Sequence, residues 1–234
     1  DLVFVIDETG SMGTYIAQVK EHLLELVRAL ERSSLCRNLR LGLVSFRDHP
    51  PQDRTYASRA IPLTSDIASM RKAVSNLHAA GGGDGPEALT DGIFDLVRLD
   101  FRAHAARVAI LVGDAPPHGV EPEGDGFAAG CPCGQHWYTQ AENCREMGIV
   151  VHTVGCLPTL EQFVGAVSVF KTIAETTRGL YLPLQQAELL VPLILAMAES
   201  ELDKQRIVEH VADAIAAHEA LLREAEEEEQ RRYL

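Results

Sequence analysis

The stretch LVFVIDETGSMG, residues 2–13, decides the fold. Leu2 to Ile6 form a short continuous apolar run, the pattern of a central parallel strand covered on both faces. Asp7, Thr9 and Ser11 follow directly where such a strand should end. In doubly wound sheets ligands bind outside the carboxyl ends of the strands, so these three oxygen-bearing side chains fall on the rim where a site would be built.

Working outward, Ile16, Val19, Leu23, Leu26, Val27 and Leu30 recur at helical spacing, and LRLGLVSF (Leu39–Phe46) reads as a second strand. Ala60–Leu63 reads as a short edge strand because Pro62 removes a ladder donor, and Ile67–Leu77 as a helix. After GGGDGPE (Gly81–Glu87) a helix is expected to about Leu99, and RVAILVGD (Arg107–Asp114) is a buried strand that again ends on Asp. A Gly- and Pro-rich loop over Ala115–Gly134 leads to a helix near Trp137–Met147 and the strand Ile149–Gly155. A helix around Leu160–Thr176 and the strand Gly179–Leu184 complete the series. Alternating β and α elements predict a doubly wound, mostly parallel α/β sheet with helices on both faces. The expected domain spans 1–184, and residues 185–234 form a helical extension in which Val208, Val211, Ile215 and Leu222 share a stripe. The acidic run Glu226–Glu229 reads as a solvated helix end.

A net charge of −13 and the lack of a Lys/Arg-rich run argue against nucleic acid as partner. The longest apolar stretch, Ala187–Ala198, contains Pro192 and falls short of a bilayer span, so no membrane partner is expected. The sequence starts on Asp1 inside a strand pattern and reads as a segment of a longer protein.

Carboxylates and hydroxyls without His or Cys suit a hard cation such as Mg²⁺, with Mn²⁺ or Ca²⁺ as substitutes. Mg²⁺ takes about six oxygens near 2.0–2.1 Å. One strand end cannot supply that shell. Asp84 and Glu87 in the glycine-rich turn and Asp114 after a later strand converge on the same rim in this topology. N-capping of the next helix is an alternative reading of Thr9 and Ser11, but it does not account for Asp84, Glu87 and Asp114.

The string D-E-T-G-S resembles the D-x-S/T-x-S signature of von Willebrand factor A domains, which carry a metal-ion-dependent adhesion site, and the element order follows that family from Asp1 to Leu184. The resemblance implies that Thr9 and Ser11 coordinate a divalent cation directly and that Asp7 and Asp114 act through water. It further implies a protein partner whose acidic side chain completes the shell. Asp84 stands where many members have Thr. D-G-P-E also resembles the D-x-P-E string of integrin beta subunits, in which the Glu reaches the metal. Either carboxylate fits, with Asp84 the first choice by its shorter reach. DETGSM, FRDH, GGGDGPE and GDAPPHG together are similar to the A domains attached to alpha-type kinases, which implies a cytoplasmic setting.

Two other classes compete. A scaffold could assemble through the C-terminal helices. A phosphotransferase of the haloacid-dehalogenase type would need a second Asp two residues after Asp7, where this chain has Thr9, so no catalytic residue is assigned. His49 and His118 follow strand ends and are expected on the metal face without being ligands. Cys131, Cys133, Cys144 and Cys156, with His136, leave three options: a zinc site, a disulfide or reduced thiols. The C-x-C spacing and a count of five favour thiols.

Overall fold

The structure is a computed structural model that describes residues 1–36, 38–121 and 123–199. Six strands, β1 (Leu2–Asp7), β2 (Leu41–Phe46), β3 (Ser58–Thr64), β4 (Arg107–Gly113), β5 (Ile149–Gly155) and β6 (Tyr181–Pro183), form one sheet. Their order is β3-β2-β1-β4-β5-β6, and every neighbouring pair is parallel except β2 with β3. This is the doubly wound α/β architecture expected from the alternating pattern.

Every residue of β1 is buried, as its continuous apolar run demands. Leu2, Phe4 and Ile6 enter one core cluster and Val3 and Val5 the other, because successive strand side chains point to opposite faces. The first face is covered by α1 (Ile16–Arg32) and α2 (Ile67–Ser75), whose Val19, Leu23, Leu26, Met70 and Val74 pack there. The second is covered by α3 (Leu89–Val97), α4 (Trp137–Glu146) and α5 (Ala166–Thr176), through residues such as Ile93, Cys144 and Phe170. Packing on the α1 face continues past Leu184: Ala187, Leu190 and Ile194 join its core, and residues 190–199 are helical. The stripe Val208, Val211, Ile215 and Leu222 and the run Glu226–Glu229 lie outside the described residues.

Several boundaries differ from the sequence reading. The helix expected from Leu160 is a 3-10 turn over Thr159–Gln162, then extended backbone at Phe163 and a left-handed Gly165, φ 88°, before α5 begins at Ala166. The edge strand is longer than expected. Pro62 sits where the β2–β3 register shifts between the Leu43–Ile61 and Leu41–Thr64 pairs, an irregularity that spares the ladder its missing N–H. β6 shrinks to Tyr181–Pro183 because Pro183 cannot extend the pairing and Leu184 starts a 3-10 turn.

The chain runs from β1 outward to β2 on one side, and later crosses to β4 on the other. The strand order therefore reverses between β1 and β4, and a crevice opens at their carboxyl ends. Asp7 ends β1 and Asp114 follows β4, so this reversal is what brings the two carboxylates together.

Candidate metal centre

The oxygens on this rim form a continuous chain. Thr9 donates to Asp7 Oδ1 twice, from its backbone N at 2.8 Å and its Oγ1 at 2.5 Å. Thr9 Oγ1 lies 3.1 Å from Ser11 Oγ, and Ser11 Oγ donates to Asp114 Oδ1 at 2.9 Å. Each hydroxyl proton is thus drawn toward a carboxylate, which leaves oxygen lone pairs of Thr9 and Ser11 for a ligand. Thr9 is the N-cap of the 3-10 turn Gly10–Thr14 and Tyr15 that of α1, yet neither makes a side-chain capping bond. Capping therefore does not explain these hydroxyls.

The glycine-rich turn closes over the same crevice. Gly81 and Gly82 adopt left-handed backbone, with φ of 78° and 77°, and Gly10 N donates to Gly81 O at 2.9 Å. A Cβ on Gly82 would stand 2.9 Å from Glu87 Oε1 and 3.3 Å from Thr9 Cβ, so only glycine lets the turn pass between them. Glu87 N donates to Pro116 O at 2.9 Å, tying the turn to the segment after β4. The cleft so formed has a volume of about 280 Å³ and is lined by Ser11, Gly82, Asp84, Glu87 and Phe163 among others.

Its electrostatics are strained. Asp7, Glu87 and Asp114 are buried, and Asp7 Oδ2, Glu87 Oε2 and Asp114 Oδ2 have no hydrogen-bond partner among the described residues. Burial, followed by the Asp114 charge, raises the Asp7 pKa to about 7, outweighing the Thr9 hydrogen bonds. Burial raises Asp114 to about 6. For Glu87, burial and then the charges of Asp7, Asp48, Asp84 and Asp114 push the carboxyl up to about 11. Buried carboxyl oxygens without donors carry a large cost, which a cation among them removes. The donor set is entirely oxygen and fits a hard divalent ion.

Asp84 and Glu87 are not equivalent. Asp84 Oδ2 accepts from Gly126 N at 2.5 Å and Gln52 Nε2 at 3.3 Å. Its pKa is raised by burial first and, against the Gly126 bond, by the facing Asp48. For Glu87 the neighbouring charges include the strand-end carboxylates Asp7 and Asp114. Asp84 lines the cleft but turns its carboxylate toward Asp48. The other Asp84 oxygen, Oδ1, is buried and has no hydrogen-bond partner among the described residues, as is true of Glu87 Oε2.

Asp48 and Asp125 were missed from sequence. His118 lies fully buried between them, with Nε2 2.8 Å from Asp48 Oδ1 and Nδ1 2.9 Å from Asp125 Oδ1. Burial opposes its charge, but these two bonds prevail and raise its pKa above the ordinary value. The FRDH string, with an acidic residue two places after β2, is the available signal for Asp48. His49 instead contacts Asp91 and Cys131. All five cysteines are free thiols. Cys144 and Cys156 sit in the cores on opposite faces of the sheet, and His136 caps α4, so the zinc set drawn from Cys131, Cys133, Cys144, Cys156 and His136 is not assembled.

Comparison with known proteins agrees with this fold. The family model of the von Willebrand factor A domain matches residues 1–108. The chain is 30% identical over 136 residues to the alpha-protein kinase vwkA of Dictyostelium discoideum, covering 57% of this chain and 21% of that protein. It is also 30% identical over 131 residues to a putative ariadne-like RING finger protein of Acanthamoeba polyphaga mimivirus, covering 55% of this chain and 12% of that one. The match thus spans 21% and 12% of the length of these relatives. Among solved structures, the von Willebrand factor type A protein from Catenulispora acidiphila superposes with a TM-score of 0.57 at 16% identity, over 86% of this chain and 42% of that one. The pilus adhesin SpaC of Lactobacillus rhamnosus GG gives 0.61 at 13% identity, over 86% and 30%. At such identities the superpositions speak for the fold. Residues 1–108, from β1 to the start of β4, match the von Willebrand factor A family model, and the chain shares the fold of solved structures of that type.

Proposed function

We propose that this domain is a divalent-cation-dependent protein-binding module and not an enzyme. Asp7, Thr9, Ser11 and Asp114 would hold a Mg²⁺-class ion, with Glu87 as the carboxylate contributed by the glycine-rich turn and Asp84 supporting the loop beside it. The observation that carries this reading is the set of three buried, donor-less oxygens, Asp7 Oδ2, Glu87 Oε2 and Asp114 Oδ2, beside the hydroxyls of Thr9 and Ser11. When bound, the ion supplies an electrophilic centre for an acidic side chain of a partner protein. The chain's own residues prepare for that contact. Asp7 and Asp114 orient the two hydroxyls, and Gly81 and Gly82 let the turn approach closely.

A phosphotransfer reading has no support in the residue two places after Asp7: the Thr9 hydroxyl is committed to Asp7 and lacks the acid–base range of a carboxyl. A reducing, cytoplasmic setting fits five unpaired cysteines. Among the described residues no helix is long and apolar enough to cross a membrane.

The test is capture of partner proteins on the immobilised full chain in Mg²⁺ and in chelator, with Asp7→Ala alongside. Proteins retained by the wild type in Mg²⁺, released by chelator and absent from the variant support the reading. Retention that ignores both changes contradicts it.

A further inference from the structure

Away from the strand-end rim, four metal-binding side chains from three segments meet beneath the loop that follows β4. His49 stands just after β2, Asp91 in the first turn of α3, and Cys131 and Cys133 in the loop before α4. His49 Nε2 lies 2.9 Å from Asp91 Oδ2 and 3.4 Å from Cys131 Sγ, and Cys131 Sγ lies 2.9 Å from the same Asp91 oxygen. Cys133 Sγ is 2.6 Å from Cys131 Sγ. The three donors from His49, Asp91 and Cys131 fall within 4.8 Å of one another.

We propose that His49, Asp91, Cys131 and Cys133 bind one zinc ion as a structural site separate from the strand-end centre. Two sulfurs, one imidazole nitrogen and one carboxylate oxygen make a four-ligand set of the kind zinc takes tetrahedrally, and they are a poor set for Mg²⁺. With Zn–S near 2.3 Å and Zn–N and Zn–O near 2.0–2.2 Å, tetrahedral donors stand roughly 3.3–3.8 Å apart. Three of the observed separations are within about half an ångström of that spacing. The sulfur pair must open by about 1 Å, and Cys133, which is exposed, has the freedom to swing outward to the fourth corner. Metal binding replaces both thiol protons, which pass to solvent.

The position gives the ion a task. Asp91 belongs to a helix and His49 is held beside the end of a central strand, so two ligands stand on the rigid scaffold while the two cysteines belong to the long loop. The same loop supplies Gly126 N to Asp84 and Asp125 to His118. Zinc would pin the loop that backs the glycine-rich turn. The proposal does not rest on the strand-end reading, since no residue is shared.

The full chain, purified under reducing conditions without chelator and supplied with zinc before desalting, is expected to retain one zinc per chain. Asp7→Ala should retain it equally, the double variant Cys131→Ser/Cys133→Ser should lose it, and His49→Ala should bind at least about tenfold more weakly. Exchange of the wild type into Co²⁺ should give an intense thiolate-to-cobalt absorption, a readout that does not depend on any variant folding. Three results overturn the site: wild type that holds no zinc and gives no cobalt–thiolate band; zinc lost from Asp7→Ala but kept by the double cysteine variant; or a zinc-free protein lighter by two hydrogens, with Cys131 and Cys133 as a disulfide.

Discussion

Ser11 Oγ donates to Asp114 Oδ1 at 2.9 Å, joining residues 103 positions apart in the chain. The bond closes the crevice between β1 and β4 and leaves one Asp114 oxygen without a donor among the described residues. The fold thus brings carboxylates to a place where a bound cation, or at low pH a proton, relieves them.

Ser11→Ala separates the fold from the site. Ser11 is exposed, and the bond its hydroxyl donates to Asp114 contributes about 1 kcal/mol to stability, beside a longer contact with Thr9. The thermal midpoint without metal should therefore shift little, while Mg²⁺ affinity falls at least about tenfold with the loss of an oxygen ligand worth about 1.4 kcal/mol or more. Calorimetric titration beside a melting curve checks both.

The response to pH follows from Asp7 and Asp114. Burial, then mutual repulsion, raises Asp7 to about 7, and burial raises Asp114 to about 6, both above the ordinary value of 3.8. A raised carboxyl pKa favours the folded state when protonated, so this stability is fully present below about pH 4 and lost as pH climbs through about 6 to 7. Glu8 and Asp53 act in the opposite sense: burial raises them, but hydrogen bonds to Tyr56 and His78 for Glu8, and to Thr55 for Asp53, prevail and lower both. The comparison is therefore wild type against Asp7→Asn, both free of metal. The wild type should lose ground to the variant between about pH 4 and 7, and Mg²⁺ should remove that loss. A difference that stays level with pH contradicts the assignment.

Gly82→Ala tests the close approach of the glycine-rich turn. The residue holds φ 77°, and its new Cβ would meet Glu87 Oε1 at 2.9 Å. The backbone conformation alone costs about 1–2 kcal/mol. Displacement of Glu87 should weaken Mg²⁺ binding beyond the stability loss, measured as the metal-induced rise in melting temperature.

Glu87→Gln and Asp84→Asn divide the turn's two carboxylates. Glu87 is pushed to about 11 by burial and the surrounding acids, whereas Asp84 is engaged by Gly126 and Gln52. Glu87→Gln should lower Mg²⁺ affinity by about tenfold or more, and Asp84→Asn by less than about threefold. The reverse order in a titration would return the ligand to Asp84.

Much of this was legible in the sequence because it depends on short-range pattern. Continuous apolar runs named β1, β2, β4 and β5, and acidic residues at strand ends placed Asp7 and Asp114 on one rim. The limits are equally physical. The late start of α5 depends on Gly165 adopting positive φ, which composition does not announce. The division between Asp84 and Glu87 depends on a loop residue 42 positions away, Gly126, whose N–H takes the Asp84 carboxylate. The meeting of His49, Asp91 and Cys131 is likewise a product of tertiary folding. Each lies on a separate segment, and none carries a spacing signal toward the others.

The central claim is that the Asp7–Thr9–Ser11–Asp114 rim binds a divalent cation. Titration of Mg²⁺ into the metal-free full chain, followed by melting temperature at fixed pH near 7.5, tests it most directly. A folded-state ligand adds RT ln(1 + [L]/Kd), or about 2.7 kcal/mol at one hundred times Kd. The account predicts a saturable rise in the wild type that disappears in Asp7→Ala. No rise in the wild type, or the same rise in the variant, would contradict it.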